Sequence, residues 1–340
     1  MYPISFGSDN HGGVHPAIMD AIIKANEGFC PAYGDDPLTQ EALARLQEEF
    51  GGGCEAWFAI TGTGANVIAL QSFISSWHAV MCPASAHINV DECGAVQKFT
   101  QARLQAIDTP DGKLTPELIA PRLINNRDQH HSQTKVISIS QSTEYGSLYS
   151  PQEISALADF AHSHDMYLHI DGARLANAAA ALGTSLAAIS KEAGADIVSF
   201  GGAKNGMLFG EAIISFRPEL TSHLRFYRKQ ATQLFSKMRF IGAQFIAYLE
   251  DELWRSNALH ANRMCKLLGE KLADIDKVQI TMPPAVNALF CILPPEITPA
   301  LMEKYHFYMW NEAINEVRLM CGCDTQEEHI QVFIADIRDA

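Results

Sequence analysis

Short apolar runs rich in β-branched residues alternate with helical stretches from residue 39 to residue 216, and this alternation narrows the fold of the 340-residue chain more than any other feature. Glu55–Ile60, Ala79–Cys82, Lys135–Ser140, Tyr167–Ile170, Asp196–Phe200 and Gly210–Phe216 read as buried strands. Thr39–Phe50, Ala65–Trp77 and Pro151–His164 read as helices between them, the last with Ser150 as cap and Pro151 at its first position. Such alternation predicts βαβ units and a mostly parallel, doubly wound α/β sheet. Beyond about Glu219 the pattern changes to a long helical region reaching about Leu272. Three short strand candidates (Val278–Thr281, Leu289–Leu293, Val317–Cys321) and a closing helix, Gln326–Ile337, follow it. The expectation is a large domain over 1–250, including the N-terminal segment, and a smaller C-terminal α+β domain over 251–340.

Charge and targeting signals exclude several classes of function. With 25 Lys+Arg against 39 Asp+Glu the net charge is −14, and no basic cluster is present. Such a chain is a poor match for nucleic acid or an anionic membrane. No apolar stretch approaches the length that spans a bilayer, and the first residues, MYPISFGSDNHGG, lack the basic and apolar regions of a secretory signal. The eight cysteines are scattered, mostly inside apolar runs, and read as small buried hydrophobes of a reducing cytoplasm. Cys321-Gly-Cys323 is too short and isolated for a metal site.

In doubly wound sheets ligands bind beyond the carboxyl ends of the strands, and three motifs fall there. Thr61-Gly62-Thr63-Gly64-Ala65-Asn66 follows a strand and opens a helix, so its N–H groups can cradle a phosphate; alone, it is equally an ordinary strand-to-helix turn. His169-Ile170-Asp171-Gly172 ends a strand on a carboxylate that can keep a ligand nitrogen protonated, or can simply cap a helix. Gly201-Gly202-Ala203-Lys204-Asn205-Gly206 sets one lysine among small residues. Taken by itself it is a hairpin loop with a solvated lysine. The three together ask for pyridoxal 5'-phosphate, which needs a Schiff-base lysine, an acid for its ring nitrogen and an anion cradle.

The residues that carry these motifs also carry a resemblance. The chain resembles the low-specificity L-threonine aldolases, in particular the bacterial branch that includes phenylserine-type aldolases. Those enzymes have the aspartate-aminotransferase-like fold (fold type I). The likeness runs through Ser8-Asp9-Asn10, Ala32-Tyr33-Gly34-Asp35-Asp36, Thr61–Asn66, Ala86-His87, Asp91-Glu92-Cys93-Gly94-Ala95 and Asp171-Gly172-Ala173-Arg174. It continues through Phe200–Gly206, Ser236-Lys237-Met238-Arg239-Phe240 and Arg318-Leu319-Met320-Cys321.

The resemblance implies cleavage of the Cα–Cβ bond of threonine, allo-threonine or a relative such as phenylserine to glycine and an aldehyde. It makes Lys204 the Schiff-base lysine and Asp171 the partner of the ring nitrogen. Gly62 and Thr63 hold the phosphate, with Arg239 reaching it from a neighbouring subunit. His87 stacks on the ring, Arg174 belongs to the cofactor and carboxylate surroundings, and Ser8, Tyr33, Arg174 and Arg318 bind substrate. A homo-oligomer, dimer or tetramer, with shared sites is implied as well. A base for the β-hydroxyl is expected at His87 or at His130, whose offset from Lys135–Ser140 matches a family histidine; imidazole suits the task with its free pKa of ~6.5. His130 is otherwise a solvated loop histidine, and Arg318 taken alone reads as a charge in an edge strand.

Two departures from the family pattern, Gln141-Ser142-Thr143-Glu144 in place of Glu-Asn-Thr and His11 after Ser8-Asp9-Asn10, bear on the preferred β-substituent. A β-eliminating lyase acting on an aromatic or sulfur amino acid would use the same lysine and aspartate, and a scaffold with a vestigial cofactor site is the non-enzymatic alternative.

Overall fold

A computed structural model of the chain describes residues 3–123 and 127–340. Its large sheet has seven strands: β1 (Glu55–Ala59), β2 (His78–Pro83), β3 (Arg103–Ile107), β4 (Gln133–Ser140), β5 (Tyr167–Gly172), β6 (Ile197–Gly201) and β7 (Glu211–Ser215), in the order β1-β7-β6-β5-β4-β2-β3. Strands β2 to β6 pair in parallel, and β7 alone runs against its neighbours β6 and β1. The carboxyl ends of β1, β2, β4, β5 and β6 therefore share one edge. Strand β3 was not legible as a strand because it is an outer one: in Arg-Leu-Gln-Ala-Ile only Ile107 is fully buried, so the apolar run is short.

Helices cover both faces, as strands buried on two sides require. Pro37–Glu49, Pro151–Ser163 and Leu175–Leu182 pack into a core with Phe50, Phe58, Leu168, Phe200 and Trp254, while Gly62–Gln71 lies on the other face with Val80, Val136 and Ile213. Pro151–Ser163 opens with a reciprocal cap, Ser150 accepting from the Glu153 N–H and Glu153 accepting from the Ser150 N–H.

The expected long helical region is broken into three helices, Leu224–Gln230, Arg239–Leu249 and Leu253–Ala273. Left-handed backbone at Thr232, Asp251 and Glu252 makes the breaks. The first break has a structural purpose: it delivers Gln233, whose Oε1 accepts the N–H groups of Ile60 and Thr61 at 2.9 and 3.3 Å and so holds the turn leaving β1.

A second sheet of four antiparallel strands follows: β8 (Gln279–Met282), β9 (Ala288–Ile292), β10 (Tyr308–Asn311) and β11 (Glu316–Met320), ordered β10-β11-β9-β8. Strand β11, carrying Arg318, is an inner strand between β10 and β9, not an edge. The N-terminal segment packs with this sheet: Phe6 joins its core, and the Met320 N–H donates to Phe6 O at 2.8 Å. Five of the cysteines (54, 82, 265, 291 and 321) are buried as expected, whereas Cys30 and Cys93 are exposed and Cys323 is half-buried. No helix among the described residues is long and apolar enough to cross a membrane.

Candidate active site

The shared carboxyl edge of the large sheet faces the small sheet across a cleft of about 560 Å³. Gly62, Thr63, His87, Asp171, Arg174, Lys204 and Arg318 all line it, together with Asn66, Ser85, Glu92, Ser142, Glu144, Tyr145 and Trp310.

Asp171 is the penultimate residue of β5, and its two oxygens are held separately. Oδ1 accepts from the Ala173 N–H at 3.0 Å and Oδ2 accepts from Asn66 Nδ2 at 2.8 Å. It does not serve as the cap of Leu175–Leu182, where Arg174 occupies that position. Asn66 also donates to Glu92 Oε1 at 2.9 Å, and the same oxygen accepts from His87 Nδ1 at 3.0 Å. This bond to Glu92 raises the His87 pKa above its ordinary value, against burial and the nearby Lys204 charge. The His87 ring is thus orientated from below, its Nδ1 engaged.

Lys204 sits in a one-turn helix, Ala203–Asn205, just after β6. Burial lowers its pKa and the Arg174 guanidinium lowers it further, against the charges of Asp9, Asp171 and Glu211. Glu211 begins β7 opposite Gly201, and burial pushes its carboxyl up to about 8. Lys204 and Glu211 thus shift in opposite directions, the lysine down and the carboxyl up, as burial disfavours the charged form of each. Chain reversal at this turn needs small residues: a Cβ on Gly202 would lie 2.1 Å from Met207 Sδ, and Gly206 has φ +103°.

The first turn of Gly62–Gln71 is open. Thr61 caps it by accepting the Gly64 N–H at 3.1 Å, and no heavy atom lies within 4 Å of where a Gly62 side chain would point. Gly62 and Thr63, the first two residues of the helix, line the cleft, and N–H groups at these positions have no acceptor within a helix.

The two arginines differ. Arg174 is committed to Asp9, donating from Nε at 2.7 Å and from Nη2 at 3.0 Å. Arg318 is less committed: Nη2 makes one long contact, 3.5 Å to Gly7 O, and its buried Nε has no partner among the described residues. Its guanidinium lies 5.4 Å from the Trp310 ring centre and 5.8 Å from that of Tyr308. Burial, then the Arg174 charge, lowers its pKa from the ordinary arginine value.

Four expected residues are elsewhere. Ser8 lies between the residues that contact the arginines, but its hydroxyl accepts from the Asn10 N–H at 3.1 Å and it is not part of the cleft wall. Tyr33 is exposed, its ring 5.4 Å from Lys229 Nζ, and Arg239 donates to Gly28 O at 3.1 Å; neither reaches the cleft of its own chain. His130 is a correction. It lies exposed in the loop before β4, in a shallow depression with Arg103, Arg122 and His131. Because β4 runs from that loop toward the cleft, His130 is at the opposite end of the strand from Asp171 and Lys204, and it cannot act as base within one chain. Sequence reasoning also passed over Asn66, Glu92 and Asp9, which stood inside quoted motifs without roles; only Glu92, five residues from His87, had a local signal.

Comparison with known proteins bears on this geometry. The sequence matches the beta-eliminating lyase family over residues 5–293. It is 40% identical over 335 residues to a low specificity L-threonine aldolase of a Pseudomonas species, covering 98% of this chain and 96% of that one. The chain belongs to the low-specificity L-threonine aldolase family. A second relative so named, from Pseudomonas aeruginosa, is 40% identical over 337 residues, with the same coverage of 98% and 96%. Among solved structures, a threonine aldolase of Leishmania major superposes with a TM-score of 0.94 at 29% identity over 99% of both chains. The aspartate aminotransferase of Rhizobium meliloti matches with a TM-score of 0.72 at 16% identity, over 99% of this chain and 90% of that one, a likeness of fold alone. Both agree with the fold type I expectation.

Proposed function

We propose that this chain is a pyridoxal-phosphate-dependent aldolase that cleaves the Cα–Cβ bond of L-threonine, L-allo-threonine or a related β-hydroxy-α-amino acid to glycine and an aldehyde. One observation carries this reading: a buried lysine of lowered pKa, a strand-end aspartate and an open helix N-terminus line the same cleft as an arginine whose buried Nε has no partner among the described residues. The relatives' names support the reaction.

The residues fit the cofactor. Lys204 supplies the amine for its aldehyde, Asp171 an acceptor that keeps a proton on its ring nitrogen, and the Gly62 and Thr63 N–H groups donors for its phosphate. Several polar atoms in the cleft wall, among them Asn66 Oδ1, Ser85 Oγ, Ser142 Oγ and Arg318 Nε, are buried without partners among the described residues, as expected of a site built for a polar ligand. When bound, pyridoxal phosphate supplies an electron sink for the pair released at Cα. The chain's own residues do the rest. Arg318 orients the substrate through its carboxylate, His87 presents an imidazole face held by Glu92, and the lowered pKa of Lys204 leaves an amine able to attack and later to carry a proton.

Incubating the holoenzyme with threonine, allo-threonine and phenylserine while measuring glycine and aldehyde tests the proposal. Ammonia and a keto acid would instead identify a β-eliminating lyase, as the wider family's description suggests.

Arg318→Lys should keep the cofactor's visible absorbance, because no cofactor contact depends on it, yet lose catalytic efficiency. A hydrogen bond to a charged group is worth roughly 1.5–3 kcal/mol, so losing one costs about tenfold to a hundredfold in kcat/KM. Every amino-acid substrate should suffer alike, since all share the carboxylate. A mutant that changed only the ranking of threonine and phenylserine would place Arg318 at the side-chain end instead.

Assembly is part of the reading. Tyr33 and Arg239 lie outside their own cleft and match segments that complete a neighbour's site in the family, so the active form is proposed as a homo-oligomer with shared sites. Sedimentation of the active enzyme should find at least a dimer, and a fully active monomer would contradict it.

A further inference from the structure

Glu144 stands in the cleft wall beside Asp171, Lys204 and Arg174, in the loop that leaves β4, and the roles assigned above do not use it. Its carboxyl is held from one side only. Oε1 accepts the His87 N–H at 2.9 Å and the Ser140 hydroxyl at 2.6 Å. Oε2 is buried and meets no partner among the described residues. The titratable groups facing it are Asp171 and Arg174 from β5 and its loop, Cys82 from β2, and Tyr149 further along its own segment. Of these only Arg174 is a cation, and Asp9 already engages its fork. A buried carboxylate oxygen left without a donor is costly, and it calls for a group that arrives with a proton to share.

We propose that Glu144 takes the proton of the substrate's β-hydroxyl through Oε2. This rests on the aldolase reading above. As the Cα–Cβ bond breaks, the hydroxyl proton passes to Oε2 and the O–H electron pair becomes the second bond of the aldehyde carbonyl. The Cα–Cβ pair would stay with Cα, bound pyridoxal phosphate supplying the electron sink, until Lys204 delivers a proton to Cα and glycine forms. Glu144 then returns its proton to solvent when the aldehyde leaves.

Three features favour this carboxyl over the histidines. His87 has its Nδ1 engaged by Glu92, whereas Glu144 Oε2 has no partner among the described residues. His130 is at the far end of β4. Burial, with the Asp171 charge adding to it, raises the Glu144 pKa, while the bonds from Ser140 and the His87 N–H hold it down. A base with a raised pKa accepts a proton more readily than a solvated carboxylate does. The base form is the charged one, so cleavage should fall as pH drops through this pKa.

Glu144→Gln in the holoenzyme tests the proposal, because glutamine keeps an oxygen for both hydrogen bonds and cannot titrate. Three measurements are needed: the absorbance change on titration with glycine, exchange of the glycine α-proton in deuterated water, and cleavage of the β-hydroxy amino acid. Glycine has no β-hydroxyl, so the first two should stay near wild type. Cleavage should fall by about 10²–10⁴, the usual worth of a positioned proton-transfer group. The wild-type loss of cleavage on the acid side should be missing from the residual activity. Undiminished cleavage by the glutamine variant overturns the proposal. So does an equal fall in cleavage and glycine exchange, which would make Glu144 a positioning residue for His87. A changed absorbance titration without any amino acid would assign Oε2 to the cofactor instead, and also overturns it. Production of ammonia and a keto acid by the wild type would overturn the aldolase reading itself, a result separable from failure of the variant.

Discussion

Lys204→Ala should yield a folded protein that lacks both the visible absorbance of the lysine-bound cofactor and turnover. The position is in a one-turn helix after β6, and the structural anchor of that turn is its neighbour. Asn205 Nδ2 donates to Tyr248 Oη at 2.7 Å and to Trp254 O at 2.8 Å, and its carbonyl accepts from Asn257 at 2.9 Å. Removing the lysine leaves those bonds intact and takes a cation out of a buried site, so circular dichroism should match wild type. Lys204 is both the attachment point and the proton carrier at Cα in the proposed reaction; the second role alone is worth about 10²–10⁴ in rate, and losing the first adds to it. Pyridoxal phosphate bound without the covalent link should also be removable by gel filtration. Near-native activity, or an undiminished visible band in the purified mutant, would sink the cofactor assignment.

Lys204, Asp171, Gly62 and Thr63 could be picked from the sequence because their chemistry demands a residue type at a strand end, and strand ends follow from β-branched runs. The cleft residues that escaped notice are those whose meaning depends on a partner distant in sequence. Asn66 links Asp171 to Glu92 across separations of 105 and 26 residues, and no local pattern announces it. Gln233 holds the turn after β1 from a segment that reads as continuous helix. Matching an offset misled in the case of His130: a residue that precedes β4 stands at the amino end of a parallel strand, away from the edge where ligands bind. Glu144 was visible as a departure from a family pattern, but its unpaired oxygen appears only when Ser140 and the His87 N–H are seen to converge on the other one. The outer strands β3 and β10 were missed for the opposite reason. They bury little, so their sequences carry little apolar periodicity.

Asp9→Ala should be the most destabilising of the substitutions considered, although residue 9 belongs to a segment that makes no regular structure. Its side chain is fully buried and accepts two hydrogen bonds from Arg174 and a third, at 3.1 Å, from Asn287. These contacts tie the N-terminal segment to the end of β5 and to the small sheet at once. Truncation would leave Arg174, 15% exposed, as a buried cation without its counter-ion. Breaking a buried pair from one side costs about 3–5 kcal/mol, a large part of the ~5–15 kcal/mol that holds a domain folded. The denaturant midpoint of Asp9→Ala should drop accordingly, and an unchanged midpoint would show that the pair contributes no net stability. Asp9→Asn keeps the shape and an acceptor oxygen, so its loss should be smaller and should reveal the charge term through pH. Burial pushes the Asp9 carboxyl up, but Arg174 more than offsets that, aided by the Lys204 charge and the Asn287 bond, and the net shift is downward. The stabilisation is therefore present above the unfolded carboxyl pKa of about 3.9 and is lost as pH falls through the lower folded value. Wild type should lose stability along that acid limb, and Asp9→Asn should lack this part of the slope. The same charge also raises the pKa of Lys204. Removing it should lower the lysine further and shift the pH dependence of cofactor attachment to lower pH, an effect that a purely structural tether would not produce.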